Sequence, residues 1–446
     1  MSTLYRAVLS VLLGFGLCDQ SAIAQIYPPT TGATQAGCFI GPADLQTLST
    51  DTIGGPWMHL LYLKSFTEPA DRPGAGSLQL AVDPILDIRA GTGFDNVRGA
   101  RWAGRIDDRI DFGGTLLEMQ RQPAGPPADW TALHGGYPGM GRGKISTDQD
   151  GLLNIDHSQS SAWFKFDASK RVEIQWGLGS QRIGPAIYNA LLSDEVAPAP
   201  YLQLAWDLTP RWTLHYLQRR LQGLERLPAD GVREGRYAPM GLAVRAISYA
   251  YAPQTGPALS VTAMTGRLFK TQERSTAECI ADLGFWPQLA DKRSDHWNGI
   301  NAQVSWTSGL AMYGQVAHSP QHHRLVFGTA YSNEHWNLWV EGNSGKGAIA
   351  QTVEPPMGAG PARWWNASDS LFTRSQIAGI AWHQGRWSAS AELTRATSRI
   401  GVTAQINWMP WDHAPFQMTA IAASWNEESW WSVGLSSHIS HGRKTY

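Results

Sequence analysis

Apolar and polar residues alternate with a period of two in about eighteen short segments that run from about Ser77 to the end of the chain. In a clear example, Ile400, Val402, Ile406 and Trp408 are apolar, and the residues between them are small or polar. The same pattern recurs in segments 172–178, 202–208 and 300–306. Because successive side chains of a strand point to opposite faces, each segment predicts a strand with one apolar and one polar face.

Strands of soluble sandwiches also alternate, so the positions of tryptophan are needed to choose between a soluble and a membrane fold. Tryptophans flank the short turns repeatedly. They bracket residues 207–211, 383–386 and 409–410 and adjoin residues 307–309 and 332–335. Tryptophan gathered at strand ends is typical of the interfacial girdle of a membrane barrel, where the ring lies in lipid and the N–H stays in water.

Loop length alternates between short and long along the chain. Short turns are expected near residues 168, 209, 254, 308, 333 and 384, and connections of about twenty residues or more near residues 128, 190, 230, 280 and 356. Membrane barrels have short periplasmic turns and long outer loops. The chain therefore predicts an all-β protein, an antiparallel transmembrane β-barrel of about 18 strands with both ends in the periplasm.

Three segments are expected. Residues 1–24 resemble a cleaved signal peptide, with Arg6 before an apolar stretch and Ala22-Ile23-Ala24 as the cleavage site. Residues 25–76 do not alternate and predict a short, partly helical N-terminal segment that plugs or braces the periplasmic mouth, with short helices over residues 42–61. Residues 77–446 predict the barrel with its long extracellular loops. The expected location is the outer membrane of a Gram-negative bacterium.

Composition narrows the possible partners. The chain has 446 residues and a formal net charge of -1, which argues against a nucleic-acid partner. Cys38 and Cys279 of the mature chain could form a disulfide in an oxidising periplasm or remain two buried thiols, and we favour the thiols because the two residues are expected at opposite ends of the barrel.

The stretch from Val172 to Leu208 resembles the central signature of the capsule assembly (Wzi) family. That signature has a strand, a Gly-Pro turn, a leucine-rich segment, a proline-containing exit and another strand. The matching residues are Gly184, Pro185, Leu191, Leu192, Ser193, Pro198 and Pro200. Ile183 and Asp194-Glu195 depart from the family pattern. The resemblance implies a non-catalytic outer-membrane protein that binds capsular polysaccharide or exopolysaccharide and anchors it on the cell surface.

Aromatic, basic and amide side chains in the expected outer loops could bind such a polymer, because sugars stack on aromatic rings and accept directional hydrogen bonds. The candidates are Trp130, Tyr188, Asn189, Arg236, Tyr237, Arg363, Trp364, Trp365 and Asn366. For any one of them, packing between loops is the alternative. The Gly184-Pro185 segment is interpreted mainly as architectural, folding against the lumen and closing the pore.

Signals for catalysis and cofactors are weak. No nucleophile elbow or His-Glu-x-x-His motif occurs, so we expect neither an enzyme, a cofactor nor a bound metal. His318, His322 and His323 lie together at a short turn, where a solvated turn is favoured over a metal site. The expected partners are the polysaccharide, outer-membrane lipid and the barrel-assembly machinery, and the expected state is a monomer.

Two other functions remain as alternatives to polysaccharide anchoring. The main alternative is a passive porin or carbohydrate channel, and the other is an outer-membrane hydrolase.

Overall fold

A computed structural model of the chain contains strands almost throughout the residues that it describes. These residues are 39–40, 61–66, 77–107, 109–123, 128, 131–132, 136–137, 141–179, 181–187, 189–192, 198–227, 236–253, 255–270, 295–319, 323–333, 335–346, 374–384, 386–396, 399–408, 416–425 and 428–437.

The first twelve strands are β1 Phe39–Ile40, β2 Leu61–Phe66, β3 Ser77–Gly91, β4 Phe94–Ile106, β5 Ile110–Gln122, β6 Gly136–Tyr137, β7 Gly141–Arg142, β8 Lys144–Thr147, β9 Leu153–Ser169, β10 Val172–Gly179, β11 Arg182–Ile183 and β12 Ala199–Thr209. The next twelve are β13 Trp212–Leu227, β14 Arg236–Tyr251, β15 Ala258–Lys270, β16 Asp295–Ser305, β17 Leu310–His318, β18 His323–Ser332, β19 Trp336–Lys346, β20 Arg374–Gln384, β21 Trp387–Ala396, β22 Arg399–Trp408, β23 Phe416–Trp425 and β24 Glu428–Ser437.

Eighteen of these strands close into an antiparallel barrel in the order β3, β4, β5, β9, β10 and then β12 to β24. The last strand returns to the first, with Ser432 of β24 opposite Gly91 of β3. Strands β9 and β10 are joined by a turn of two residues, and Phe164 and Trp176 bring their ring centroids to 4.7 Å. The predicted barrel and its strand number are confirmed.

The outer face of the barrel is an apolar surface whose exposure to water would be unfavourable. Large apolar side chains on different strands expose about half of their area there, including Phe327 at 55%, Val340 at 55% and Ile300 at 53%. A soluble protein rarely leaves a contiguous apolar surface of this kind uncovered, whereas lipid covers the outside of a membrane barrel. The apolar face of each alternating segment is therefore the lipid face.

The two rims of the barrel differ. Turns at one rim are short, with Trp212, Trp336 and Trp387 exposed on the outer face beside them. Trp387 and Trp408 pair across β21 and β22 with ring centroids 6.0 Å apart, and Trp336 pairs with Trp382 at 6.4 Å. The predicted girdle is present, and the long connections all leave from the opposite rim.

Of residues 25–76 the structure describes two short strands. β1 pairs with β11, placing Phe39 opposite Ile183, and β2 pairs with the beginning of β3, placing Leu61 opposite Val82. Leu61 therefore begins a strand, whereas the sequence pattern placed it at the end of a helical stretch. The other residues expected to be helical, and both Cys38 and Cys279, lie outside the described residues. No helix among the described residues is long and apolar enough to cross a membrane.

Candidate functional site

The connection between β10 and β12 folds into the barrel. We call its described residues, 181–187 and 189–192, the inner segment. Ile183, Ala186 and Leu191 are buried in one cluster with apolar residues of the barrel wall. The wall residues of that cluster are Trp163, Tyr201, Leu217, Leu242, Val244, Ala246, Met264, Leu268, Trp297, Tyr313, Ala317 and Val326. The lumen is thus filled by protein along β12 to β18.

Two polar side chains of the wall fasten the backbone of the inner segment. The Glu341 carboxylate on β19 accepts hydrogen bonds from the backbone N–H of Ile187 at 2.7 Å and from the hydroxyl of Tyr313 at 2.7 Å. Gln315 on β17 accepts from the N–H of Ala190 at 2.9 Å and donates to the carbonyl of Ile183 at 2.9 Å. A backbone buried in a barrel needs such partners, since unpaired polar groups there cost free energy.

Asn189 folds the inner segment onto itself. Its amide nitrogen donates to the carbonyl of Ile183 at 2.6 Å, and its amide oxygen accepts from the N–H groups of Leu191 and Leu192 at 2.9 and 3.0 Å. The side chain is buried inside the barrel. Asn189, expected as a polysaccharide contact in this loop, is thus buried in the lumen, where these three bonds occupy its amide.

Gly184 and Pro185 form the bend that turns the inner segment across the lumen. Gly184 has φ of 75°, a conformation that costs glycine little. A Cβ atom on it would come 2.2 Å from the amide oxygen of Asn301. Arg182 caps the bend, donating to the carbonyl of Gly184 at 3.2 Å and to that of Pro185 at 3.3 Å. Both glycine properties, its backbone freedom and its lack of a side chain, are required here.

Inward aromatic rings lie flat on glycines of the neighbouring strand. Four cross-strand pairs share this arrangement: Gly113 with Trp163, Gly266 with Trp297, Tyr313 with Gly328, and Trp339 with Gly379. A Cβ on Gly379 would come 2.0 Å from Cζ2 of Trp339, and one on Gly266 would come 2.3 Å from Cζ2 of Trp297. The missing side chains make room for rings against the wall, and all four rings lie in apolar clusters with residues of the inner segment.

The wall opposite the inner segment is polar. On β3 to β5 and β9 to β10, the inward positions carry charges in cross-strand rows, which we call the charged wall. The upper row is the one nearest the rim of the long connections and contains Arg89, Asp95 and Arg121. The middle row contains Asp83, Arg101, Thr115 and Ser161. The lower row, nearest the short-turn rim, contains Arg105, Asp111 and Lys165. Alternating signs across neighbouring strands favour pairing within each row.

Ion pairs of the charged wall follow this order. In the lower row, Arg105 and Asp111 are 2.7 Å apart, and the ammonium of Lys165 lies 3.3 Å from Asp111 and 3.8 Å from Glu173 of β10. In the upper row, Arg121 lies 3.7 Å from Asp95 and its guanidinium stacks over the ring of Tyr137. The charges are thus compensated locally rather than summed into one strong field.

The two ends of the charged wall are more accessible to water than the wall behind the inner segment, whereas Asp83, Thr115 and Ser161 of the middle row keep only 5–8% of their area. Side chains of Arg89, Asp87 and Arg105 keep 21–26% of their area accessible, and Lys165 keeps 16%. On the opposite wall, Gln315 and Leu217 are fully covered and Glu341 keeps 1%. The lumen is therefore two-sided, with protein packed against one wall and solvent in contact with charged residues near both ends of the other.

The remaining predicted site residues are placed as follows. Trp130, Tyr188, Ser193, Arg363, Trp364, Trp365 and Asn366 lie outside the described residues, so their roles stay predictions. Arg236 and Tyr237 begin β14, opposite Leu227 and Arg226. Pro198 precedes β12, and Pro200 is its second residue and is exposed. His318 and His323 face each other across β17 and β18, and no group of three potential metal ligands occurs among the described residues.

Sequence reasoning missed the fastening residues Gln315 and Glu341 and the charged wall. Arg105, near the end of β4, pairs inside the lumen with Asp111. Strand parity would have revealed this, because Arg105 and Asp111 alternate with the apolar, outward residues Ile106 and Phe112. The two-residue alternation therefore indicated that both charged side chains point inward. That they form an ion pair depends on the short turn between β4 and β5, which places them opposite each other.

Comparisons with known proteins find matches among solved structures alone. No family model matches the chain, and no curated protein matches it. Among solved structures, it is similar to Pseudomonas aeruginosa OccK9 (TM-score 0.43, 12% identity, 81% of this chain and 97% of that one). It is also similar to Pseudomonas aeruginosa OpdK with vanillate (TM-score 0.44, 9% identity, 84% of this chain and 99% of that one). A third similar structure is a triple mutant of the Rhodopseudomonas blastica porin (TM-score 0.36, 8% identity, 80% of this chain and 99% of that one).

Proposed function

We propose that this protein is an outer-membrane channel for small hydrophilic solutes, narrowed by its inner segment. The observation that carries the proposal is the two-sided lumen. A barrel whose interior served only as a packed core would not keep paired charges in contact with water along one wall, since burying them costs free energy. Accessible charges near both rims are what the two entrances of a hydrated path across a membrane need.

The locally compensated rows predict weak selectivity by charge. Arg105 and Lys165 share the lower part of the wall with Asp111, Asp167 and Glu173, so one carboxylate there is in excess. Solutes that can exchange hydrogen bonds with both signs of charge are favoured over strongly charged ions, because neither sign dominates the wall. The inner segment sets the width, since it occupies the half of the lumen beside β12 to β20.

Conductance of the purified protein in a planar bilayer tests this function. We expect a steady current in KCl that rises in proportion to voltage. Heat-modifiable mobility in a denaturing gel establishes beforehand that the sample is a folded barrel. A folded barrel that inserts but carries no current above the bare membrane would refute the channel.

Polysaccharide binding at the long-loop rim is the second candidate. It is favoured by Tyr137, whose ring centroid lies 4.5 Å from the Arg121 guanidinium and 6.2 Å from the ring of His157, with which it is stacked. Aromatic rings beside arginine suit the face and the hydroxyls of a sugar. We expect Trp364→Ala with Trp365→Ala to move polymer from the cell to the medium at unchanged total amount. An unchanged ratio of bound to released polymer contradicts this candidate.

A further inference from the structure

Four polar side chains meet behind the beginning of the inner segment, and we call them the amide cluster: Gln175, Gln181, Tyr201 and Gln203. Gln175 of β10 lies directly opposite Gln203 of β12. Tyr201 comes two residues before Gln203 and therefore points to the same inward face. The amide nitrogen of Gln175 donates to the hydroxyl of Tyr201 at 2.5 Å. Gln181 reaches Tyr201 from the inner segment, and all four side chains are buried.

Two amides of this cluster carry unpaired atoms. Gln181 has no exposed area, yet neither its amide oxygen nor its amide nitrogen makes a hydrogen bond within the part of the chain that the structure describes. The amide oxygen of Gln203, whose side chain is 5% exposed, has no hydrogen bond there either. Burying an amide without hydrogen bonds costs free energy, so folded proteins pair nearly all such groups with protein atoms or with ordered water.

The unpaired atoms match a small neutral ligand that both donates and accepts hydrogen bonds. The amide oxygens of Gln181 and Gln203 accept, whereas the amide nitrogen of Gln181 donates. The hydroxyl oxygen of Tyr201 already accepts from Gln175, so its proton is a further donor. The two oxygens would repel an anion, and the N–H and O–H groups would repel a cation. Water has two donors and two acceptors, and buried water makes about three such bonds.

We propose that the amide cluster binds an ordered water molecule that bridges Gln181 of the inner segment to Gln203 of the barrel wall. Later in the inner segment, Ile187 and Ala190 are fastened directly, by Glu341 and Gln315. The water supplies the corresponding link at Gln181, since a water-mediated hydrogen bond holds two polar groups almost as well as a direct one. This site does not depend on whether the lumen conducts.

X-ray radiolysis of the full-length folded protein in detergent micelles tests the site. Pulsed X-rays convert water into hydroxyl radicals, which add oxygen to the side chains that water contacts, and mass spectrometry locates the added oxygen. We expect oxygen on Tyr201. Tyr313 is the matched control, because it is equally buried but its hydroxyl already donates to Glu341 at 2.7 Å, so it should stay unlabelled.

Two substitutions separate the bridge from the surrounding packing. Gln181→Met keeps a similar volume but removes the amide, so labelling of Tyr201 should fall to the level of Tyr313. Gln303→Met makes the same change at an inward, partly exposed position of β16 and should leave the labelling of Tyr201 unchanged. Heat-modifiable mobility establishes that each variant is folded. If Gln181→Met does not fold, Gln203→Met tests the same bridge from the wall, with the same expected loss.

Three results would overturn the water site. The first is a wild type in which Tyr201 gains no more oxygen than Tyr313. The second is a folded Gln181→Met or Gln203→Met variant in which the labelling of Tyr201 persists. The third is labelling of Met264 as strong as that of Tyr201. Met264 is buried in the apolar cluster with the inner segment, so its labelling would mean that bulk solvent enters when the segment opens.

Discussion

Replacing Gln315 by leucine should release the inner segment from the wall. The leucine has a similar volume but cannot hydrogen-bond, so the N–H of Ala190 and the amide oxygen of Asn301 lose their contacts at 2.9 and 3.2 Å. The carbonyl of Ile183 keeps its bond from Asn189. A buried donor left unpaired costs about 1–3 kcal/mol and a lost hydrogen bond about 1 kcal/mol, so docking should weaken by about 2–4 kcal/mol.

That weakening multiplies the undocked population by a factor of about 30 or more, since each 1.4 kcal/mol is a factor of ten. Hydrogen exchange of the peptide over residues 181–192, followed by mass spectrometry, measures this population through the opening of buried amides. In a planar bilayer, the same variant should show more frequent transitions to a larger conductance. Both readouts follow the inner segment rather than the stability of the barrel.

Gln303→Leu is the matched control, because it makes the same substitution at an inward, partly exposed position of β16. Its exchange and conductance should equal those of the wild type. The reasoning is refuted if Gln315→Leu leaves exchange over residues 181–192 unchanged while the barrel remains folded. It is also refuted if Gln303→Leu accelerates exchange as much, since the effect would then not arise at the fastening bonds.

Two further changes test the wall itself. Gly379→Ala places a Cβ 2.0 Å from the Trp339 ring and should lower the free energy of unfolding by about 1–3 kcal/mol in urea. In Gly342→Ala the nearest atom is at 3.9 Å, so an equal loss there would contradict the ring-on-glycine explanation. Lys165→Gln removes the ammonium shared by Asp111 and Glu173 and should shift the reversal potential in a KCl gradient toward that of K⁺. Lys170→Gln, at an exposed turn, should not shift it.

The outward half of the fold could be predicted from the sequence, because lipid imposes the same requirement on every strand. The segment from Ile400 to Trp408 lies within β22, and the segment from Val172 to Leu178 lies within β10. The tryptophans beside short turns likewise lie on the outer face at one rim. Because every strand contacts lipid, the same alternation of apolar and polar residues recurs many times in one sequence and can be recognised there.

The interior could not be predicted in the same way, because its contacts join distant parts of the chain. Ile187 and Glu341 are 154 residues apart, and Ala190 and Gln315 are 125 apart. No local pattern says which polar residue of an inward face will meet which backbone amide. Asn189 shows the consequence, since an amide in an expected loop suggested a ligand contact and the fold uses it to shape the inner segment.

One local signal does report on the interior. A strand between lipid and water should be apolar on one face only, yet β13 and β14 have apolar residues on both, with Leu214 outward and Leu217 and Val244 inward. The strands of the charged wall alternate only in part: Asp111 is inward beside Phe112 outward, but Met119 and Trp163 are apolar residues on the inward faces. Loss of alternation inside a barrel therefore indicates that protein rather than water covers the inward face of that strand. In this chain it marks β13 and β14, whose inward residues Leu217 and Val244 pack in one cluster with the inner segment.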